Sequence, residues 1–251
     1  MNKVMKSHIV NISAYKFVQL NKLATLKAHF LAKGDALGIK GTILLAEEGI
    51  NLMLAAEAVK IDAFLAILKQ DARFADIHPK MSFSDQLPFE RFKVRIKQEI
   101  ISMGDTSVQP QKETAVHLDA AQFKQWIDEG RDITILDTRN RYEIAHGTFE
   151  QAIDLGIDNF RDFPQACRQL AADDTLKHKP LIMFCTGGVR CEKAALPIMR
   201  MGFKQVYQLD GGIINYFEQC GGAHYKGNCF VFDERTALNP QLQQVGSVTS
   251  E

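Results

Sequence analysis

Strand-like and helical apolar patterns alternate along the first hundred residues. Ile9 to Val18 alternates apolar and polar positions, as a half-buried strand does, and Leu23 to Phe30 then shows helical spacing. Ile39 to Ala46 predicts a second strand. Glu47 to Asn51 predicts a turn, and Leu52 to Ala55 predicts the strand that returns beside the second one.

A second helix and a further strand region complete this half. After the hairpin, one helical face is lined by Val59, Ala63, Phe64, Ile67 and Leu68. Phe89 to Ile101 then predicts one or two edge strands. The order strand, helix, strand, strand, helix, strand predicts a ferredoxin-like (split βαβ), acylphosphatase-like α+β domain over residues 1–105.

Beyond a polar stretch, a second pattern of alternating strands and helices begins. Met103 to Glu113 is rich in Gly, Asp, Ser, Gln and Pro, which is typical of a linker. Strand and helix signals then alternate as far as Asp210, and they predict an α/β domain over residues 112–225 with a parallel sheet covered by helices on both faces. Residues 226–251 are expected to form a C-terminal segment whose tail is disordered from Ala237 onward.

The chemistry of this second half is concentrated where one buried strand ends. Leu181 to Phe184 has the length of a buried strand and Glu192 to Met201 has helical spacing, so Cys185 falls at the bend between them. Backbone N–H groups converge at such a bend and favour an anion, so we expect Cys185 to ionise easily and to act as a nucleophile. A cysteine at a strand end is also often a small core residue, but the residues that follow favour a functional cradle. The cradle is predicted to consist of Thr186, Gly187, Gly188 and Val189, closed by the fixed cation Arg190.

The length of this loop separates two kinds of cysteine enzyme. Cysteine phosphatases place one more residue between their Cys and Arg than the four that separate Cys185 from Arg190. The shorter loop resembles the active-site loop of rhodanese-like domains, which hold a persulfide or another small group on sulfur. Further residues resemble the rhodanese series: Asp137, Arg139, Glu143, Gly147, Ala152, Ile153 and the late glycine turn Gly211-Gly212.

A narrower resemblance covers most of the chain. Its motifs are Lys40 to Ala46 with Glu48 to Asn51, Asp137 to Asn140 with Tyr142 and Glu143, Cys185 to Lys193, Gly211 to Ile214 with Tyr216, and Cys229 to Arg235. Together they resemble the rhodanese-domain-containing tRNA uridine hydroxylases. Leu52 and Gln151 depart from the glycines usual in the family and superfamily. Because the chain stops soon after Arg235, we expect a short form without the cysteine-rich C-terminal extension, and nothing about that extension is carried over.

The resemblance implies oxygen-dependent formation of 5-hydroxyuridine at the wobble position of tRNA. The resemblance also implies that tRNA is the partner and that molecular oxygen is the co-substrate. The sequence itself predicts no further cofactor. Our mechanistic hypothesis is that Cys185 adds to C6 of uracil, that loop amides or Arg190 stabilise the charge on O4 and C5, and that C5 then meets dioxygen. Cys191 could supply a thiol for the later reduction or could be packed and inert.

Two other functions stay open at this point. In a sulfurtransferase, Cys185 would carry a persulfide and pass sulfur to an acceptor, and loop chemistry alone does not separate this from hydroxylation. In a binding module, the second domain would only dock to RNA or protein, and the intact pair of Cys185 and Arg190 argues against it.

Charged residues near the loop are accessory candidates. Asp137 and Arg139 could orient the loop or substrate, although an internal salt bridge is the favoured interpretation of Asp137. Arg139, Arg141 and Lys193 are candidates for contact with tRNA phosphate because of their charge.

The charge of the chain is divided unequally. Residues 1–100 contain 15 Lys and Arg and 10 Asp and Glu, a net charge of +5. The remaining residues contain 15 Lys and Arg and 20 Asp and Glu, a net charge of −5, so the chain as a whole has a net charge of zero. Such asymmetry suggests a polyanionic partner for the first half. In that half, four cations occur at every second position, so they are predicted to lie on one face of a strand: Arg91, Lys93, Arg95 and Lys97. This basic stripe could follow a phosphate backbone, or it could be ordinary solvated surface.

Composition limits the compartment and the kind of site. Five cysteines, an odd number, show no paired or metal-ligand spacing, and the seven histidines are scattered, so we expect reduced thiols and no metal. No segment has the character of a signal peptide or a membrane span, which predicts a cytoplasmic protein without a membrane partner. Nothing in the sequence indicates the oligomeric state.

Overall fold

The computed structural model describes residues 9–105 and 107–245. The chain divides into two compact units, residues 1–100 and residues 101–251. Among the described residues, no helix combines the length and apolarity needed to cross a membrane.

The first unit is one five-stranded sheet with two helices. Its elements are β1 (Ile9–Phe17), α1 (Leu23–Leu37), β2 (Lys40–Ala46), β3 (Gly49–Glu57), α2 (Ala58–Lys69), β4 (Lys80–Ser84) and β5 (Phe92–Ile96). The strand order is β4-β1-β3-β2-β5. β3 runs antiparallel to both β1 and β2, and β5 runs parallel to β2. The first four strands therefore have the ferredoxin-like order, and the predicted type of fold is confirmed. The fourth strand of that order is β4, whereas the segment predicted to supply it contains β5, which extends the sheet beside β2.

The core of this unit lies between one sheet face and the helices. Val10, Ile12 and Ala14 alternate along β1 and share a buried apolar cluster with Phe30 of α1 and Phe64 of α2. This alternation is why the first strand could be predicted. The sequence prediction placed only edge strands at Phe89 to Ile101 and missed β4.

The second unit is built around a parallel sheet. Its elements are β6 (Val116–Leu118), α3 (Ala120–Asp128), β7 (Thr134–Asp137), α4 (Arg141–Ile144), β8 (Gly147–Phe149), β9 (Ile153–Asp154), α5 (Phe163–Leu170), β10 (Leu181–Phe184), α6 (Val189–Arg200), β11 (Val206–Leu209), α7 (Gly212–Cys220), β12 (Tyr225–Gly227), β13 (Cys229–Phe230) and β14 (Ala237–Leu238). The main sheet has the order β6-β11-β10-β7-β9, and all its pairings are parallel. Two antiparallel pairs, β12 with β8 and β13 with β14, lie outside it.

The central strand β10 divides its side chains between two cores. Leu181 and Met183 join the cluster that contains the apolar residues of α5 and α6, whereas Ile182 and Phe184 join the cluster of α3 and α7. Helices therefore cover both faces of the sheet, as predicted. Because β10 is the central strand of the sheet, its carboxyl end at Phe184 places Cys185 at the middle of one sheet edge.

Two regions differ from the sequence prediction because a few apolar side chains decide their packing. Met103 and Val108, in the stretch read as a linker, are each 2% exposed and belong to the α5–α6 core. Ala237 and Leu238 are buried in β14, so the predicted disorder from Ala237 is wrong as far as residue 245. The rest of that tail, residues 246–251, lies outside the described residues.

Candidate active site

Cys185 follows β10 directly and begins a tight turn into α6. The backbone N–H of Gly188 donates to the Cys185 sulfur at 3.1 Å. Gly188 has φ +98°, a conformation that glycine adopts without strain, and α6 begins at the next residue. Cys185 itself is 0% exposed. The sulfur thus lies against a helix N-terminus, as the sequence predicted.

A second glycine turn holds the other side of this loop. The backbone N–H groups of Ile213 and Ile214 donate to the carbonyls of Cys185 and Thr186 at 3.0 and 3.1 Å. A Cβ atom on Gly212 would lie 2.4 Å from the Cys185 carbonyl oxygen, and Gly212 has φ +67°. Only glycine fits at this position. The start of α7 therefore fixes the backbone that carries Cys185.

The surroundings of Cys185 favour its thiolate. Burial raises the pKa of Cys185, but the hydrogen bond from Cys191, the charge of Arg190 and the backbone N–H groups of Arg190 and Gly188 together hold that pKa below the ordinary thiol value. Burial is also the main cause that raises the pKa of the other four cysteines, Cys167, Cys191, Cys220 and Cys229. Cys185 is thus the one cysteine of the five whose environment promotes ionisation.

Cys191 lies in the first turn of α6, and its environment disfavours ionisation. It is 0% exposed, and burial together with its hydrogen bond to Cys185 keeps its pKa well above the ordinary value. The hydroxyl of Thr138 lies 3.7 Å from the Cys191 sulfur and donates to the Phe184 carbonyl at 2.9 Å. A neutral Cys191 thiol therefore serves as a hydrogen-bond donor to an ionised Cys185.

Arg190 is held by the carboxylate of Glu143, a residue to which the sequence analysis assigned no role in the site. Its two terminal nitrogens donate to the two carboxylate oxygens of Glu143 at 2.5 and 2.7 Å. Glu143 also accepts from the backbone N–H of Asn140 at 3.1 Å, at the start of α4. The Glu143 side chain is 0% exposed and that of Arg190 is 5% exposed. Burial lowers the pKa of Arg190, and the hydrogen bonds and charge of Glu143 outweigh it, so Arg190 is a permanent cation.

Asp137 and Arg139 form an internal ion pair at the end of β7. Arg139 Nε and Nη2 donate to the Asp137 carboxylate at 2.9 and 2.6 Å, and both side chains are at most 1% exposed. Arg139 Nη2 also donates to the Gly147 carbonyl at 2.6 Å. The structure thus bears out the predicted salt bridge. It contradicts a role for Arg139 at the surface against tRNA phosphate, because the guanidinium is fully enclosed.

The same local geometry occurs at two other Asp-x-Arg segments. Arg73 pairs with Asp71, with Nη2 2.5 Å from the carboxylate, and Arg235 pairs with Asp233, with Nη2 at 2.6 Å. In all three segments the backbone N–H of the arginine donates at 3.0 Å to the aspartate two residues earlier. The Asp-x-Arg pattern is therefore enough to hold the arginine side chain against the aspartate two residues before it.

The other two cations predicted near the loop lie in different surroundings. Lys193 is 1% exposed, and every residue of α6 from Arg190 to Ile198 is buried. The prediction that Lys193 contacts tRNA phosphate is therefore wrong. Arg141 is exposed on α4, where it forms an ion pair with Asp158 at 2.7 Å. Of the three candidates, only Arg141 lies at the surface.

An aromatic group from α4 and the β13–β14 hairpin lies beside Arg190. The Phe230 ring contacts Tyr142 and Phe232 edge to face, with centroids 5.4 and 5.1 Å apart. The Arg190 guanidinium lies 5.8 Å from the Phe232 ring centroid. Tyr142 is 47% exposed and Phe232 is 44% exposed. The sequence prediction quoted both residues in motifs but assigned neither a role.

The basic stripe of the first unit lies on and beside β5. Lys93 and Arg95 are exposed, whereas Phe92 and Val94 on the other face pack into the core. Backbone hydrogen bonds to β2 continue through Arg91 and Lys97, which flank the strand and are also exposed. Within the described part of the chain, these four cations make no ion pair.

The described residues contain no group of three or more His, Cys, Asp and Glu side chains that could hold a metal ion. At the site itself, the structure brings together a cradled thiolate, a second thiol in contact with it and a buried cation.

Comparison with known proteins agrees with this arrangement. Residues 9–100 match the family described as UPF0176 acylphosphatase like domain, and residues 119–219 match the Rhodanese-like domain family. A Bordetella petrii protein named tRNA uridine(34) hydroxylase is 51% identical over 245 residues, which cover 96% of each chain. A protein of the same name from Cupriavidus metallidurans is 50% identical over 245 residues, or 96% of this chain and 86% of that one. One from Thiobacillus denitrificans is 50% identical over 95% of this chain and 97% of its own. With this identity over nearly its full length and both domains in order, the chain belongs to the tRNA uridine(34) hydroxylase family.

Proposed function

We propose that this protein is an oxygen-dependent tRNA hydroxylase that converts uridine 34 to 5-hydroxyuridine. The observation that carries the proposal is the thiolate-favouring environment of Cys185 in a chain of this family: an amide at 3.1 Å, a donating thiol and a buried cation surround one sulfur. Such a sulfur is a nucleophile, and C6 of uracil is an electrophile conjugated to the O4 carbonyl.

In the proposed first step, the Cys185 thiolate adds to C6. The electron pair of the C5=C6 bond moves toward C5 and O4, and the Arg190 charge and the loop amides stabilise it. The C5 carbanion combines with dioxygen and a proton to give a C5 hydroperoxide. Loss of the C5 proton and of the Cys185 thiolate then restores the C5=C6 bond.

The hydroperoxide needs two electrons and two protons to become a hydroxyl group and water. The Cys185 thiolate and the Cys191 thiol supply the two electrons and one proton when they form a disulfide, and the proton released from C5 supplies the other. Cys191 is the thiol in hydrogen-bond contact with Cys185. We propose that this pair carries out the reduction and that an external thiol reduces the disulfide afterwards. Thr138 helps to hold Cys191 in place for this step, because its hydroxyl is fixed by donating to the Phe184 carbonyl at 2.9 Å and lies 3.7 Å from the Cys191 sulfur.

Access to the sulfur requires local movement. Cys185 is 0% exposed, so uracil reaches the sulfur only when residues packed against the loop shift. The loop is joined to the β13–β14 hairpin by a long hydrogen bond, in which the Thr186 hydroxyl donates to the Phe230 carbonyl at 3.4 Å. A contact of this length is weak and separates at small cost.

The β5 stripe supports tRNA as the substrate. Its exposed cations lack ion-pair partners in the described residues, so their charge is available to phosphate. The arginines of the second unit discussed above are paired, and Arg139 and Arg190 are buried as well. We therefore propose that the first unit supplies the main electrostatic contact with tRNA.

The decisive experiment is nucleoside analysis of tRNA. Cells that lack the gene, complemented with wild type or with Cys185→Ser, are grown in air, and the purified protein is incubated with unmodified tRNA under ¹⁸O-labelled dioxygen. We expect 5-hydroxyuridine only with wild type, with one labelled oxygen atom in each hydroxylated base. Appearance of a thiolated nucleoside in its place would establish sulfur transfer and overturn the proposal.

A further inference from the structure

We infer that Phe232 and Tyr142 form a nucleobase-binding site, in which the ring of the target uracil stacks on Phe232. The inference rests on the proposed function and adds to it the side chains that recognise the base. The site is the aromatic group beside Arg190 that consists of Tyr142, Phe230 and Phe232.

Exposure is the first argument. Single exposed apolar side chains are common on protein surfaces, but Phe232 and Tyr142, which are 44% and 47% exposed, belong to one contiguous aromatic group. Phe230, between them, contacts both rings edge to face. Two exposed rings on a common aromatic support have the form of a surface on which a flat ligand stacks.

Rigidity is the second argument. Phe232 lies in the turn of the β13–β14 hairpin, where the Val231 N–H donates to the Thr236 carbonyl at 2.9 Å and the Thr236 N–H to the Asp233 carbonyl at 3.0 Å. The Asp233–Arg235 pair, at most 7% exposed, closes the same turn. An exposed phenyl ring on an immobilised turn loses little conformational entropy when a ligand binds.

Position is the third argument. The Arg190 guanidinium lies 5.8 Å from the Phe232 centroid, and Arg190 follows by two residues the glycine whose backbone N–H donates to the Cys185 sulfur at 3.1 Å. On α4, Tyr142 precedes Glu143, which holds Arg190. The exposed rings are thus connected, through single contacts, to the groups that surround the reactive sulfur.

The chemistry of the surface selects the occupant. Aromatic faces bind the neutral π-face of a base and offer nothing to phosphate, while Arg190 is already occupied by Glu143. Stacking of one base on an aromatic side chain is worth about 1–3 kcal/mol, which corresponds to about 5- to 150-fold in affinity. A base removed from the anticodon loop requires such a surface, since it loses its stacked neighbours.

The test compares two anticodon stem-loop RNAs, one with uridine and one with an abasic site at position 34. Their affinities for wild type, Phe232→Ala, Phe232→Trp and Tyr142→Ala are measured by fluorescence anisotropy without oxygen, so that no turnover occurs. Phe83→Ala is the matched control, because Phe83 is 55% exposed in the other unit. The rate of Cys185 alkylation, which reports on the loop, should stay within about twofold of wild type in all variants.

We expect Phe232→Ala to weaken binding of the uridine RNA about 5- to 150-fold and to leave the abasic RNA unchanged. Phe232→Trp should restore binding, Tyr142→Ala should weaken only the uridine RNA, and Phe83→Ala should change neither affinity. Equal loss on both RNAs, or no loss on either, overturns the inference. A change in oligomeric state with unchanged RNA affinity also overturns it and marks the surface as a protein contact. Formation of 5-hydroxyuridine by wild type is measured separately, so that failure of the proposed function is distinguished from failure of this inference.

Discussion

Arg190 and Glu143 lie face to face in a buried pair with two parallel hydrogen bonds of 2.5 and 2.7 Å. The residues are 47 positions apart in sequence, and the pair connects the start of α6 with α4. Because the Arg190 charge is also one of the causes that lower the pKa of Cys185, Glu143 controls the reactive sulfur indirectly by fixing the position of that charge.

The first prediction concerns Arg190. Replacement by Gln removes the cation near Cys185, so the pKa of the thiol should rise and the hydroxylation rate should fall about 10- to 1000-fold, as for loss of a group that stabilises developing negative charge. The pH dependence of Cys185 alkylation by iodoacetamide measures the shift. Arg190→Lys, which keeps the charge without the bidentate geometry, should fall between wild type and Gln. The same midpoint in all three proteins would show that Arg190 does not influence the thiolate.

The second prediction concerns Cys185 itself. Cys185→Ser is nearly isosteric and removes the readily ionised group, so 5-hydroxyuridine should disappear while the thermal midpoint stays close to that of wild type. In wild type, alkylation should persist below pH 8.5, the ordinary midpoint of a free thiol, because the folded pKa is lowered. Substantial product from the serine variant would exclude covalent addition by this residue.

The third prediction compares two glycines with similar backbone conformations. Gly212→Ala places a Cβ atom 2.4 Å from the Cys185 carbonyl oxygen, whereas Gly130→Ala, at φ +64°, meets nothing within 4 Å. Both variants carry the strain of a positive φ, and only Gly212→Ala should also distort the loop. We expect it to abolish activity and to return the Cys185 alkylation midpoint toward 8.5. Equal alkylation midpoints in the two variants would contradict a role for Gly212 in shaping the loop.

The fourth prediction concerns the β5 stripe. If Lys93 and Arg95 contact phosphate, the double change to Gln should weaken tRNA binding of all sequences alike and reduce the salt slope of log affinity by about 2, roughly one for each lost contact. The control is Lys27→Gln with Lys33→Gln, which removes two exposed charges from α1 of the same unit. Cys185 alkylation should be unchanged in both. If the two double variants have the same salt slope, the stripe is ordinary solvated surface.

The fifth prediction concerns the pH dependence of stability at His117. Its Nδ1 lies 3.1 Å from Asp210 and its Nε2 lies 3.3 Å from Glu192. These hydrogen bonds, with Asp210 the larger cause, raise the pKa of His117 to about 9. Because the pKa of His117 is higher in the folded than in the unfolded protein, protonation of His117 stabilises the fold. This contribution to the free energy of unfolding is fully present below the unfolded pKa of 6.5 and is lost as the pH rises to about 9.

The measurement is the difference in thermal midpoint between wild type and His117→Gln at pH 6 and at pH 9. Wild type should be the more stable protein at pH 6, and the difference should shrink at pH 9. Because the His117 side chain is 44% exposed, salt should reduce the effect. A difference that is constant over this range would show that protonated His117 does not stabilise the fold.

The sequence was sufficient to predict those parts of the site whose residues are close together along the chain. The cradle from Cys185 to Arg190 is contiguous, and the strand before it and the helix after it have clear apolar patterns, so the position of the sulfur at a helix N-terminus followed from the chain. The Asp137–Arg139 pair was equally accessible, because its two residues are separated by one position.

Contacts between distant segments were not predictable in the same way. Glu143 lies in a short helix and reaches Arg190 only after the parallel sheet has formed. Lys193 was expected at the surface because it is charged, but α6 is enclosed on every side there. β4 was missed because its burial is the reverse of the usual pattern: Ser82 and Ser84 are buried, whereas Met81 and Phe83 are exposed. Its place beside β1 comes from tertiary pairing. The sequence pattern thus predicts which residues belong to the same helix or strand, but it does not predict which helices and strands contact one another.

The three Asp-x-Arg pairs bear on the kinetics of encounter with RNA. Arg73, Arg139 and Arg235 add to the formal charge of the chain, yet each is neutralised by a carboxylate two residues away. At distances beyond a Debye length, such a pair attracts a polyanion hardly at all. The long-range field comes from unpaired cations, and the four on and beside β5 are of this kind within the described residues. Under the proposed function, association would therefore be steered by the unit that contains no reactive cysteine, and its rate would fall with salt while the chemical step would not.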